Sequence, residues 1–133
     1  MLSLLFSLFL CNAAKADVCF ENNCIGSRVT THVNVSSMWY DIKIDSAKVF
    51  LSQDSILTSV RLNLDTTNTD KIVEILSKRI GPVSLAGTSE DTIFQHRFYA
   101  WLSVEGTQFF LIDNVPIKSN LTEEKFLFIR RKK

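Results

Sequence analysis

Ile56-Leu57-Thr58-Ser59-Val60-Arg61-Leu62-Asn63-Leu64 runs into Asp65-Thr66-Thr67-Asn68-Thr69-Asp70. Lys71-Ile72-Val73-Glu74-Ile75-Leu76-Ser77-Lys78-Arg79-Ile80-Gly81-Pro82 follows directly. Val60, Leu62 and Leu64 alternate with Ser59, Arg61 and Asn63. That period of two describes a strand with one buried face. The polar run after it holds residues whose side chains bond nearby backbone amides and so begin helices. Thr67 with Asp70 three positions on forms a capping pair, and Asp70 suits the positive end of the helix dipole. Ile72, Val73, Ile75, Leu76 and Ile80 then recur at helical spacing. Glu74 and Lys78 stand four apart in the favourable order. Gly81 can close the helix in a left-handed conformation, and Pro82 cannot continue it. The spacing therefore predicts one strand feeding one helix over about 68–80.

Upstream, Arg28-Val29-Thr30-Thr31-His32-Val33-Asn34-Val35 alternates and is rich in β-branched residues, a strand pattern. Met38 to Ile44 reads as a second strand with Tyr40, Ile42 and Ile44 on one side. Asp45-Ser46 breaks it, and Ala47 to Leu51 is a short third run. Ser52-Gln53-Asp54-Ser55 reads as a turn. Downstream of the helix, 83–94 shows no sustained period and reads as a surface loop, with at most a brief strand at 83–85. Arg97-Phe98-Tyr99-Ala100-Trp101-Leu102-Ser103-Val104 and Thr107-Gln108-Phe109-Phe110-Leu111-Ile112 read as a hairpin turning at Glu105-Gly106. Pro116 ends the returning strand, because proline cannot donate to the ladder. Lys125-Phe126-Leu127-Phe128-Ile129-Arg130 reads as the last strand. Strands in runs around a single helix predict an α+β domain: an antiparallel sheet of about six to seven strands with the helix packed on one face.

Met1-Leu2-Ser3-Leu4-Leu5-Phe6-Ser7-Leu8-Phe9-Leu10-Cys11 is apolar and too short to span a bilayer, which takes about 20 residues. Ala14-Lys15-Ala16 places small residues where a signal peptidase reads. Residues 1–16 are thus expected to be a signal peptide, and 17–133 a single α+β domain that is periplasmic or secreted and not stably inserted in a membrane. No Lys or Arg precedes the apolar run, so either the start lies upstream or the signal is atypical. Removing 1–16 takes away Lys15 and no acid, leaving 14 basic residues (15 less one) against 14 acidic. Nucleic acid wants a clear basic excess, and none is present. Cys19 and Cys24 remain. In an oxidising compartment such a pair closes a small loop as a structural disulfide. Free thiols and a redox pair are the alternatives, the latter lacking its usual two-residue spacing at a helix start.

Chemistry is sparse. His32 and His96 lie far apart with no Cys or Glu at ligand spacing, a poor basis for a metal site. No nucleophile elbow and no glycine-rich phosphate loop occur. The acidic pairs Glu90-Asp91 and Glu123-Glu124 read as solvated. No catalytic, cofactor-binding or metal-ligating residue is therefore assigned. The aromatic residues point elsewhere. Arg97, Tyr99 and Trp101 project opposite the Phe98 and Leu102 face, and Trp39 adjoins Tyr40 on an earlier strand; if Val60 and Phe98 lie on the helix side, Arg61, Tyr99 and Trp101 lie on the other. Arg97, Tyr99, Trp101 and Trp39 form the candidate partner-binding set, since Trp, Tyr and Arg dominate binding hot spots. The competing reading has the N-terminal segment or the 83–94 loop cover them as a second core.

The run Thr69 to Pro82 after strand 56–64, the hairpin holding Trp101 and the last strand together resemble small exported bacterial α+β proteins of uncharacterised families. The resemblance spans about 56–130, with Ile80-Gly81 standing where those proteins usually carry Tyr-Gly or Phe-Gly before the proline. It implies a small periplasmic α+β domain and brings no functional residue with it. The function expected is a non-catalytic module that binds a protein partner in the cell envelope, in its specific form an inhibitor or immunity protein of an exported enzyme. A hydrolase using His96 or His32 with a loop carboxylate, or a structural subunit of an envelope assembly, are the alternatives.

Overall fold

The computed structural model describes residues 18–30, 32–65, 68–102, 106–118 and 120–131. The signal peptide expected at 1–16 lies outside them. The elements in order are β1 (Cys19–Phe20), β2 (Asn23–Cys24), β3 (Met38–Trp39), β4 (Ile42–Leu51), β5 (Leu57–Leu64) and α1 (Thr69–Ile80). They continue with β6 (Leu85–Glu90), β7 (Phe94–Trp101), β8 (Thr107–Pro116) and β9 (Glu124–Arg131). β1 and β2 form a two-stranded ribbon, and the rest form a seven-stranded sheet in the order β3-β4-β5-β9-β8-β7-β6. Every pairing is antiparallel. The α+β class expected from the sequence is the observed one.

The strand at 57–64 and the helix at 69–80 stand where their periods place them. Capping falls to Asn68, whose side chain accepts from the Asp70 amide; Thr67 lies outside the described residues. At the other end the Gly81 amide bonds the Ser77 carbonyl with φ 126° and ψ −178°. This is a glycine conformation distinct from the left-handed one expected, and a side chain there would strain it. Ile72 and Leu76 are fully buried and share one cluster with Val60, Leu62, Leu111, Leu127 and Ile129.

The register connects that cluster across the sheet. Val60 faces Ile129, Ile129 faces Phe109, and Phe109 faces Trp101. In the next row Leu62, Leu127, Leu111 and Tyr99 follow one another. The facing that the sequence left open is thereby decided: Trp101 shares its face with Val60, and Phe98 lies on the other side with Arg61. Side chains alternate along a strand, so a one-residue error moves the whole set. Trp101 is 1% exposed, and its indole Nε1 donates to the Gly81 carbonyl at 3.0 Å. Burying that ring is worth about 5 kcal/mol at 25 cal/mol/Å² over roughly 200 Å².

Other expectations change too. Val33 is buried and Val29 and Val35 pack on the core, yet among the described residues of 28–35 the only strand pairing is the bridge Arg28 to Ile56. Alternation there reports burial and not pairing. The strand expected over 38–44 folds at Tyr40-Asp41, both with positive φ, so that Trp39 faces Ile42. Two consecutive positive φ values match the right-handed twist of a tight hairpin. The Asp45-Ser46 break is a register shift inside β4, not an end. Half of the stretch 83–94 is the edge strand β6, Leu85–Glu90. Its register partner for Gly87 is Phe98, whose ring would meet an added Cβ at 2.7 Å. An aromatic ring laid over an edge glycine stabilises a strand that propensity would not.

Leu76→Ala should cost about 3 kcal/mol through the cavity it leaves. Trp101→Phe should cost about 1–2 kcal/mol by stranding the Gly81 carbonyl. Urea unfolding followed by circular dichroism measures both.

Candidate functional site

The residues singled out from sequence lie on the buried side. Trp101 and Trp39 are core residues, and Tyr99 packs against the cluster. Trp39 stacks between Phe20 and Tyr40, with ring centroids 5.8 and 4.3 Å away. Arg97 donates to Asp113 Oδ2 at 2.7 Å, and the Thr69 hydroxyl donates to the same oxygen at 2.6 Å. Asp113 has no exposed surface, and Lys125 is its buried register partner on β9. The four candidates are thus not a free binding surface; Arg97 is spent on a buried carboxylate.

Alternation leaves the opposite face of the sheet to a different set. One row runs Ala100, Phe110, Phe128, Arg61 and Lys48; the next runs Phe98, Ile112, Phe126, Asn63 and Ser46. The apolar members of these rows other than Ala100 are half-buried, and Phe50 is exposed beside Phe128, centroids 6.2 Å apart. Cations lie over the rings. The Arg61 guanidinium sits 3.8 Å from the Phe126 centroid, Arg130 sits 5.1 Å from Phe110, and Lys48 Nζ sits 5.4 Å from Phe50. Each such contact is worth about 0.5–1 kcal/mol at an exposed site. The long side chains also cover apolar surface with their stems while their charges stay wet. Arg61 is further held by Asn63 Oδ1 and Glu124 Oε1, and Arg130 by Gln108 Oε1. Among the described residues Lys48, Arg61 and Arg130 share this face with Glu124, which pairs with Arg61, so this part of the face is cationic in a nearly neutral chain.

The signal for this face was present in the sequence. Phe109-Phe110-Leu111-Ile112 and Phe126-Leu127-Phe128-Ile129 are unbroken apolar runs, as strands covered on both sides require.

His96 lies on the same face, farther along β7. Its Nδ1 is 2.7 Å from Asn114 Oδ1, and its Nε2 is 2.9 Å from Asp91 Oδ2. Asp91 Oδ1 accepts from the Ile93 and Phe94 amides, tying the β6–β7 turn to the ring. Both oxygens facing the imidazole are acceptors, so the arrangement suits a ring protonated on both nitrogens. The hydrogen bonds to Asn114 and then Asp91 raise the His96 pKa. The Phe94 amide, the His96 ring and the Ile93 amide lower Asp91 to about 2. Ser89 is the register partner of His96, but with both ring nitrogens engaged the imidazole has no lone pair free to take a proton from the hydroxyl.

His32 is exposed, and Glu123 pairs with Lys125. Among the described residues no group of three or more His, Cys, Asp or Glu converges as a metal site would. No described helix is long and apolar enough to cross a membrane. The sulfurs of Cys19 and Cys24 lie at disulfide-bonding distance, as one of the sequence readings expected. That is compatible with an oxidising compartment. No protein-family model, no curated protein and no solved structure matches the chain.

Arg97→Met should destabilise by about 3 kcal/mol, since it leaves a buried charge without its main partner. Thr69→Val should cost about 1 kcal/mol. Guanidinium unfolding of the two variants checks the order.

The His96–Asp91 clamp has a definite pH window. Because the histidine is raised in the folded chain, its contribution is complete below about 6.5 and is lost as pH climbs through the folded value. Asp91 is depressed, so its contribution is present above about 3.9 and is lost as pH falls through about 2. NMR titration of the His96 ring should show a pKa above the free imidazole value, falling in Asp91→Asn.

Proposed function

We propose that this chain is an exported, non-catalytic protein-binding module, and that the cationic phenylalanine face of its sheet docks an acidic protein surface. The reading is supported by Ile72 and Leu76 of α1, which cluster with residues of the other face, while the phenylalanine rows are half-buried among the described residues. The observation that carries the reading is the pair of register rows in which Phe98, Ile112 and Phe126, and Phe110 and Phe128, stand under Arg61 and Arg130. Half-buried rings supply area, and guanidinium groups supply direction. An acidic partner pairs with those groups as it displaces them from the rings. An inhibitor or immunity protein of an exported enzyme is the specific form of this reading: such a protein needs a rigid docking surface and no chemistry of its own. The resemblance to small exported bacterial proteins fits the same compartment.

A second reading, a hydrolase, draws on the closeness of His96 and Asp91. Against it stands the engagement of both ring nitrogens.

An alternating Glu-Leu peptide, with poly-glutamate as the charge-only control, tests the binding reading by calorimetry. The mixed peptide should bind more tightly than the control, with affinity falling as salt rises. Arg61→Glu or Phe126→Ala should weaken it tenfold or more, about 1.4 kcal/mol. Absence of binding to either peptide would remove the acidic-partner reading. Turnover in a hydrolase substrate panel that is abolished by His96→Ala in a folded protein would replace it with the second.

A further inference from the structure

The two edges of the large sheet are built differently. At one edge β3 is two residues long, β4 carries register shifts at Ile44/Ser46 and Phe50/Leu51, and Lys48 is exposed. Short strands, irregular registers and lysines are the devices by which proteins block strand addition. At the other edge β6 has none of them. Leu85-Ala86-Gly87-Thr88-Ser89-Glu90 pairs with β7 through six consecutive residue pairs without a shift. It contains no Pro, Lys or Arg, five of its six residues are exposed, and among the described residues no strand lies on its outer side.

This edge is also held in place. The Ser84 amide bonds the Ala100 carbonyl and the Ser84 hydroxyl accepts from the Leu102 amide at one end. At the other the Asp91 amide bonds the Phe94 carbonyl, with the Asp91 side chain fixed by His96. The Phe98 ring covers Gly87 midway. A rigid, regular strand with an open row of backbone donors and acceptors is a template for another strand.

We infer that two copies of this chain pair antiparallel through their β6 edges, joining the two seven-stranded sheets into one. Three observations single out a second copy as the occupant. Glu90 is the only charge on the strand. Antiparallel self-pairing centred on Thr88 opposes each Glu90 to the other copy's Ala86, so the two carboxylates stand about 14 Å apart at about 3.4 Å per residue, beyond the ~8 Å Debye length. Leu85 is 53% exposed and Ile93, just past the far end of β6, is 43% exposed. The same pairing carries each Leu85 to the end of the strand where the other copy's Ile93 emerges. Finally, 15 basic residues against 14 acidic leave little net repulsion between copies. The two-fold axis stands normal to the sheet, so both phenylalanine faces point the same way. The inference is independent of what those faces bind, and neither result decides the other.

A six-residue edge is smaller than the interface of about 1,600 Å² usual for a tight complex, so the dimer forms with rising concentration. Sedimentation velocity of the chain purified after export should show its mass moving from that of one copy toward twice that value as concentration rises. Thr88→Lys, which keeps every backbone group but puts a hydrated charge on the edge, should hold it monomeric. Leu85→Ser serves the same purpose if Thr88→Lys does not fold. Hydrogen exchange supplies the second readout: β6 amide protection should grow with concentration in the unaltered chain and not in the variant. Lys48→Glu on the opposite edge should leave association unchanged. A monomer at every concentration would overturn the inference. So would a dimer that persists in folded edge variants without concentration-dependent protection of β6.

Discussion

A carboxylate with no exposed surface sits at the centre of this fold. Asp113 on β8 receives the Thr69 hydroxyl from the first turn of α1 and the Arg97 guanidinium from β7, both on one oxygen. Its second oxygen and the Arg97 Nε have no bonding partner among the described residues, so the arrangement is not at its electrostatic optimum. A buried ion pair gives little net stability over an apolar pair of the same shape. What it does impose is an orientation. With Asp113 inward, period two carries Leu111 and Phe109 inward with it. Arg97 then brings Tyr99 and Trp101 to the same side.

The second anchor lies at the other end of the helix. Trp101 donates to the carbonyl of Gly81, the residue that closes α1. Between Thr69 and Gly81 the helix is therefore tied at both ends to side chains of β7 and β8. Its two fully buried residues, Ile72 and Leu76, belong to the same buried cluster as Val60, Leu62 and Leu111. The polar contacts set direction, and the apolar contacts provide most of the energy. Breaking either anchor should loosen the facing of β7 before it melts the core.

That facing determines the character of the outer surface. A strand with large apolar residues on both sides cannot hide all of them, and here the surplus lies on the face opposite Trp101, Leu111 and Leu127. Arginine and lysine side chains laid over the rings keep the surplus compatible with water. The same groups make the surface cationic and give it a chemical preference that a bare apolar patch would lack. The N-terminal ribbon solves a different problem. Stapled at Cys19 and Cys24, it packs Phe20 on Trp39, which reaches Phe109 in the sheet with ring centroids 6.5 Å apart. A short segment with few hydrogen bonds to the sheet is thus held by aromatic contact.

The sequence by itself determined the local elements whose signals are redundant. Strand 57–64 and helix 69–80 carry period, cap and stop in agreement, and the strands around Phe109 and Phe126 follow from apolar runs that no helix of that length would need. It also marked Cys19 and Cys24 as a pair. Only the tertiary structure decided which face of the hairpin is core. Phe98 and Trp101 are both large enough to bury, and the choice rests on partners about 20 residues away, Gly81 for the indole and Asp113 for Arg97. The tertiary structure likewise made β6 a strand, since Gly87 and its small neighbours hold an extended form only beneath the ring of Phe98. Periodicity records that a residue alternates. Which alternate is buried depends on contacts that no local window contains.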